Sequence, residues 1–254
     1  MALWEDVLSL IAIFADIHAN RPAFEACLRD AAGQAAGDIV LLGDYVGYGA
    51  DPEWTVETVT DLVAKGAIAV RGNHDTAVSD PTIGLNIEAQ VAMEWTRGEL
   101  GKPQREFLAR LPASVSAGEV LYVHADARAP EAWNYLIDAT QAAKSLLASP
   151  ARITFCGHTH VPAVYSMSPT GKMTAFTPVD DVHIDLLPAR RWLIVAGSVG
   201  QPRDGRAAAC WLKFDPQRMN VTFRRVPYDV DLAAARIREK RLPSWLADRL
   251  YLGR

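Results

Sequence analysis

Val70-Arg71-Gly72-Asn73-His74-Asp75 sets an amide, an imidazole and a carboxylate side by side at the end of an apolar run. Ala67-Ile68-Ala69-Val70 reads as a short buried strand. The polar stretch from Thr76 to Pro81 cannot continue it, so Asn73, His74 and Asp75 are predicted on a loop at the strand's carboxyl end. Open α/β sheets bind ligands at that end. A plain turn is the alternative: Gly72 frees the backbone, Asn73 tolerates a left-handed conformation and His74 faces solvent. What else the chain brings to the same place decides between the two.

Working outward, the run from Val7 to Ala15 is predicted as the first central strand, since Glu5 and Asp6 precede it rather than the basic residues of a signal peptide. It is too short to span a bilayer. It ends in Asp16-Ile17-His18-Ala19-Asn20, where Asp16 and His18 point to one side and Asn20 with Pro22 starts a helix that stops near Gly33. Residues 38–42 form a second strand that ends in Gly43-Asp44-Tyr45-Val46-Gly47-Tyr48-Gly49, where glycines around an acid imply a backbone that approaches something closely. Asp51-Pro52 caps the next helix and Gly66 stops it, just before the strand that feeds Asn73. Crossover connections make these strands parallel, so Asp16, His18, Asp44 and Asn73 emerge on one edge of the sheet.

Downstream, residues 85–111 read as two helices, with Ile87, Val91 and Trp95 as the apolar stripe of the first. Strands at 120–123 and 153–156 then end in His124-Ala125-Asp126 and Gly157-His158-Thr159-His160. Of the six histidines, His18, His74, His124, His158 and His160 all sit at predicted strand ends, and only His183 does not. Scattered core histidines would not sort this way. The last third reads as a second, more antiparallel sheet, with a hairpin turn at Pro169-Thr170-Gly171-Lys172, further strands at 192–196, 208–214 and 221–226, and helices at 232–241 and 244–251. In the loop between 197 and 205, Arg203 is the candidate anion contact, since guanidinium matches phosphate oxygens.

Composition narrows the class. The 254 residues, half of them hydrophobic, suit one α/β domain spanning 1–254 with C-terminal helices from about 231. A net charge of -4, with no basic block before Arg236-Ile237-Arg238-Glu239-Lys240-Arg241, gives no footing for duplex nucleic acid, and that run reads as a solvated helix face. Cys27, Cys156 and Cys210 are odd in number and far apart, which argues against disulfides and thiolate zinc and fits a reducing cytoplasm. A small-molecule substrate is expected, with no duplex nucleic acid and no membrane.

The ordered set Asp16-x-His18, Gly43-Asp44, Gly72-Asn73-His74-Asp75, His124 and Gly157-His158-Thr159-His160 resembles the calcineurin-like metallophosphoesterase superfamily, in its compact bacterial and archaeal form, from about residue 9 to 205. The resemblance implies a four-layer α/β/β/α sandwich with two mixed sheets. It also implies two divalent transition metal ions (Mn, Fe, Ni or Zn), one held by Asp16, His18, Asp44 and His160 and the other by Asp44, Asn73, His124 and His158. A hydroxide bridging the metals would attack the phosphorus, His74 would be the general acid and Asp75 would orient it. The expected activity is that of a phosphodiesterase or nucleotide hydrolase. A phosphomonoesterase, a non-catalytic metal-binding scaffold and a nucleotide sensor are the alternatives. Tyr45, Tyr48 and Trp133 are candidates for stacking a base.

Two departures stand out. Gly47-Tyr48-Gly49 lies where the Ser/Thr protein phosphatases carry a phosphate-binding Arg, which argues against protein phosphatase activity. Ala125-Asp126 follows His124 where compact relatives have Gly and a small polar residue, which makes Asp126 a further candidate for contact with substrate or metal-bound water.

Overall fold

Strand β1 (Leu10–Phe14) is buried on both faces, and in the computed structural model, which describes residues 9–254, neighbours flank it on both edges. On one side lie β2 (Ala36–Leu41) and then β3 (Ile68–Ala69), both parallel, with Phe14 beside Leu41 and Leu41 beside Ala69. On the other side β11 (Ala209–Asp215) runs antiparallel, followed by β12 (Asn220–Val226) and β9 (His183–Asp185). The second sheet has the order β4 (Ser114–Ala117), β5 (Val120–Val123), β6 (Ile153–Cys156), β10 (Arg191–Val195), β7 (Ala163–Met167) and β8 (Met173–Phe176). Two mixed sheets of this kind, with helices outside, form the α/β/β/α sandwich.

The division of strands corrects the sequence reading. The last third of the chain is not a sheet of its own: β7, β8 and β10 complete the sheet that holds β5 and β6, and β9, β11 and β12 complete the one that holds β1. A strand buried on both faces needs hydrogen-bonding partners on both edges, and the chain supplies them from distant segments. β4, whose Ser and Ala carry little strand signal, was not anticipated; Val7 and Leu8, placed in the first strand, lie outside the described residues.

Side-chain alternation builds the layers. Ile13, Val40, Phe155, Ile194, Phe214 and their neighbours fill the space between the sheets, with the Phe155 and Phe214 rings 5.1 Å apart. Phe14 points the other way, onto Phe24 of α1 (Arg21–Gly33), with the ring centroids at 5.6 Å. Asn20 caps α1 as expected, its Oδ1 accepting from the Ala23 N–H. Behind the second sheet, Ala142 and Leu146 of α6 (Ala139–Leu147) cover Val123, Cys156 and Val195.

Helix α2 (Pro52–Ala64) begins after Asp51, which makes no side-chain cap. Its carboxylate instead accepts from Arg236 Nε at 2.8 Å, out of α7 (Val230–Glu239). The C-terminal basic run is therefore more than a solvated face. Arg238 pairs with Asp248 of α8 (Ser244–Leu252), and Lys240 with Glu99 of α4 (Ile87–Glu99). The stripe predicted for α4 is also corrected: Ile87 is 80% exposed, and the helix packs through Ala89, Ala92 and Met93. Small residues let it lie close to α7 and α8 while Trp95 sits at the margin. The second helix of that region is α5 (Lys102–Arg110).

Candidate metal centre

The carboxyl ends of β1, β2, β3, β5 and β6 meet at one rim of the sandwich, and the candidate side chains converge there. Asp16, His18, Asp44 and His160 each place a donor atom within 4.8 Å of the others, and Asp44, His124 and His158 form a second such group. Asp44 belongs to both: its Oδ2 is 3.7 Å from His18 Nε2 and 3.4 Å from His124 Nε2. Asn73 joins the second group, with Oδ1 at 3.2 Å from His124 Nε2. Every one of these residues is buried.

The local backbone that does this is unusual. Asp16, His18, Asp44, His158 and His160 all have positive φ, between 49° and 68°. That conformation costs an ordinary L-residue about 1–2 kcal/mol, and such strain collects where a side chain must be aimed. The glycines flanking Asp44 serve close approach, as their spacing implied. Gly43 has φ +90°, and a Cβ there would stand 2.6 Å from the Gly72 nitrogen and 2.9 Å from His124 Nδ1. At Gly47, φ +84°, a Cβ would collide with Nδ1 of His74.

Asn73, His74 and Asp75 do not lie in a loop; they open a short helix, α3 (Asn73–Ser79). An acid three residues into a helix can bond the N–H at its start. Here Asp75 Oδ2 accepts from Gly72 N at 2.9 Å, while Thr76 Oγ1 donates to the Gly72 carbonyl. The same carboxylate accepts from Asp44 N at 2.8 Å and Tyr45 N at 2.9 Å. The contact expected from Asp75 to the His74 ring is not made, because three backbone donors occupy its two oxygens. His74 is placed from its backbone, which donates to Asp44 Oδ1 at 2.9 Å, and by ring contacts of 4.8 Å with His18 and 4.7 Å with Tyr48; its Nδ1 is buried without a partner.

The donor set can be tested for metal. Four imidazoles each spend one ring nitrogen on a backbone carbonyl: His18 Nδ1 on Val46, His124 Nδ1 on Leu42, His160 Nδ1 on Gln201 and His158 Nε2 on Trp133. A ring nitrogen bonded to a carbonyl carries the proton, which leaves the other nitrogen as a lone pair aimed inward. Those inward nitrogens face one another at 3.1 Å, His18 against His160 and His124 against His158. Lone pairs that close repel unless a proton or cation is shared between them. Imidazole, carboxylate and amide oxygen without thiolate is a donor set that divalent transition metals accept.

The protonation tendencies agree with a site built for cations. Burial pushes the Asp16 carboxyl up to about 8, and burial together with His124 pushes His158 down to about 3. Burial also lowers His18, His74 and His160. Burial opposes charging of His124 too, but the Asp44 carboxylate prevails and raises it to about 9. A divalent ion would take the place of those protons.

Around this cluster the other candidates separate. Arg203 flanks it: its N–H donates to the His160 carbonyl, one guanidinium nitrogen bonds Gln201 Oε1 at 3.0 Å, and the guanidinium lies 5.9 Å from the centre of the Tyr48 ring. Asp126 stands apart from the cluster, with Oδ1 accepting from Arg128 N at 3.0 Å and Oδ2 from Arg128 Nε at 2.6 Å. Tyr45 is fully buried and donates to the Leu41 and Val70 carbonyls, so it cannot stack a ligand. Tyr48 is buried against His18 and His74. The sequence reading overlooked Tyr135, half exposed and stacked on His158 at 4.2 Å and 23°. Only its nearness in sequence to Trp133, whose carbonyl anchors His158, could have pointed to it.

Residues 10–216 match the calcineurin-like phosphoesterase superfamily domain, and the chain belongs to that family. It is a metal-dependent phosphoesterase. An uncharacterized protein of Methanocaldococcus jannaschii is 35% identical over 98% of this chain and 100% of its own length. A metallophosphoesterase structure from Sphaerobacter thermophilus superposes with a TM-score of 0.85 at 36% identity, covering 97% of this chain and 99% of that one. A hypothetical protein from Pyrococcus horikoshii shares the fold, with a TM-score of 0.78 at 20% identity over 97% and 99% of the two chains. Among the described residues, no helix is long and apolar enough to cross a membrane.

Proposed function

We propose that this chain is a dinuclear phosphohydrolase acting on a phosphodiester or a nucleotide. The observation that carries the reading is Asp44, whose Oδ2 stands within 3.7 Å of an imidazole from each ligand group. Asp16, His18, Asp44 and His160 would hold one metal ion, and Asp44, Asn73, His124 and His158 the other. When bound, two such ions activate water at neutral pH and draw charge from the phosphoryl oxygens. No thiolate takes part, and Mn, Fe, Ni and Zn all suit the donors.

The chain's own groups supply the rest. His74 gives the leaving oxygen its proton. Burial lowers the His74 pKa against the opposing pull of Asp44, so the imidazole leans to its neutral form until the negative charge of an arriving phosphate ester shifts the balance towards the acid form. Asp75 fixes the turn that carries Asp44 to the start of α3 and so acts through position. Arg203 meets phosphate oxygens on one flank of the cluster. On the opposite flank Tyr135 offers an exposed ring, which supports an ester with a flat organic part. Three buried, unpaired cysteines fit a reducing cytoplasm.

The test is turnover of bis-p-nitrophenyl phosphate and p-nitrophenyl phosphate by metal-stripped protein, with Mn²⁺, Ni²⁺ or Zn²⁺ restored in turn. Metal-dependent hydrolysis with the diester preferred supports the reading. A monoester preference replaces diester by monoester, and metal binding without turnover of either returns the protein to a scaffold or sensor role.

A further inference from the structure

Of the four carbonyls that anchor the cluster's imidazoles, three belong to loops buried at the sheet edge: Leu42 and Val46 follow β2, and Gln201 follows β10. The fourth belongs to Trp133, in the segment between β5 and α6, where it is half-buried with exposed Ala132 and Asn134 on either side. It follows a single 3₁₀ turn (Pro130–Ala132), and its backbone is left-handed, with φ 54° and ψ 36°. A bulky residue rarely adopts that conformation, and it persists only where the surroundings impose it.

Two contacts impose it here. The Trp133 indole packs against the His124 ring, with centroids 5.9 Å apart and planes at 67°. Arg71 pins the turn before it: the guanidinium donates to Glu131 and to the Ala109 carbonyl, and the Arg71 N–H donates to the Pro112 carbonyl at 2.8 Å. Arg71 stands two residues before Asn73, so one side chain ties the Trp133 turn to the strand end that carries Asn73. Trp133 thus meets two imidazoles, His158 through its carbonyl at 2.9 Å and His124 through its ring, and both belong to the second ligand group. Its Nε1 is buried without a hydrogen-bond partner, so packing rather than a hydrogen bond of its own holds the indole in place.

Resting on the dinuclear reading above, we infer that Trp133 is the positioning residue of the second ligand group: by setting His124 and His158 together it governs retention of the ion that Asp44, Asn73, His124 and His158 would hold. The reason is orientation. An imidazole binds metal best when its ring is already turned to the site, and loss of an outer contact that fixes it typically weakens binding about 10–100-fold. The ion of the first group draws its carbonyl anchors from Val46 and Gln201, so it stays when the indole is removed.

The experiment is calorimetric titration of metal-stripped protein with Mn²⁺, and separately with Zn²⁺, for the unaltered chain and for Trp133→Ala, Trp133→Gly and Trp133→Phe. The expected result is two binding events in the unaltered chain. One of them becomes at least tenfold weaker in Trp133→Ala and Trp133→Gly and stays within twofold in Trp133→Phe, whose ring keeps the contact with His124, while the other stays within twofold throughout. Glycine takes the left-handed backbone without strain, so native affinity in Trp133→Gly, as in Trp133→Ala, overturns the role of the ring. Equal weakening of both events, which a general loosening of the fold produces, overturns it too, as does a loss in Trp133→Phe as large as in Trp133→Ala. Failure of the hydrolase reading shows separately, as absence of bis-p-nitrophenyl phosphate turnover by protein with both ions bound. A single binding event in the unaltered chain overturns the dinuclear reading and this inference with it.

Discussion

Oδ2 of Asp44 stands 3.4 Å from Nε2 of His124, so a carboxylate that follows β2 in one sheet meets an imidazole that follows β5 in the other. The two sheets are thus joined at their rim by candidate ligand atoms as well as by the apolar layer between them. Oδ1 of the same carboxylate accepts the His74 N–H, which couples ligand geometry to the position of the proposed acid.

Asp44→Asn should therefore affect both metal positions at once. The amide keeps one oxygen for the His74 N–H but loses the charge shared between the groups. We expect metal content to fall from two ions to one or fewer and turnover of bis-p-nitrophenyl phosphate to drop about a hundredfold or more. Metal analysis alongside kinetics checks this, and full occupancy with normal turnover would remove Asp44 from the bridging role.

His74→Asn should leave metal content unchanged, since His74 is not in either ligand group. The loss should depend on the leaving group. It should be small for p-nitrophenolate and about 10²–10⁴-fold for an alkyl ester whose alkoxide needs a proton. A uniform loss across leaving groups would mean that His74 acts on the phosphoryl group instead.

Asp75→Asn removes the acceptor that holds Gly72, Asp44 and Tyr45 N–H groups together. An amide there turns an NH₂ towards at least one of those donors, leaving buried N–H groups unpaired at roughly 1–3 kcal/mol each. Urea denaturation should show about 3 kcal/mol less stability, with an unaltered dependence of rate on leaving-group pKa. A changed dependence would restore Asp75 to a direct role on His74.

The order of the candidate ligands was legible because each follows a short apolar run, and such a run ends where a parallel strand delivers its residues to the sheet edge. Asp16, His18, Asp44, Asn73, His124, His158 and His160 all reached one place for that reason. Which sheet each strand joins was not legible: alternation shows which side of β11 is buried, yet it says nothing about β1 as its neighbour some 200 residues earlier. The helix at Asn73 was partly readable, since Gly72-Asn73-His74-Asp75 contains an acid at the capping distance. Tyr135 was out of reach, because its contact with His158 arises only once its loop has docked beside the site.

Asp126 tests whether a polar neighbour of a ligand is itself functional. Both of its oxygens bond Arg128, and the adjacent Ala127 N–H bonds Ser145 Oγ of α6 at 3.0 Å, so the segment after His124 is braced from behind. Asp126→Asn should lower stability by about 1–2 kcal/mol and Tm by about 2–8 °C, with KM for bis-p-nitrophenyl phosphate changed less than twofold. A tenfold rise in KM at unchanged Tm would instead place Asp126 on the substrate.

Tyr135 tests the proposal that the substrate carries a flat organic part. Its ring stacks on His158, whose Nδ1 faces the cluster and whose Nε2 is tied to the Trp133 carbonyl, and half of Tyr135 is exposed to solvent. Stacking of a base on such a ring is worth about 1–3 kcal/mol. Tyr135→Ala should then raise KM for the p-nitrophenyl ester of thymidine 5′-phosphate about tenfold, while kcat/KM for methyl p-nitrophenyl phosphate, which has no base to stack, changes little. His158 keeps its backbone anchor in this variant, so metal content should stay the same. If the two esters lose activity equally, Tyr135 serves to hold His158 in place, and the organic part of the substrate lies elsewhere.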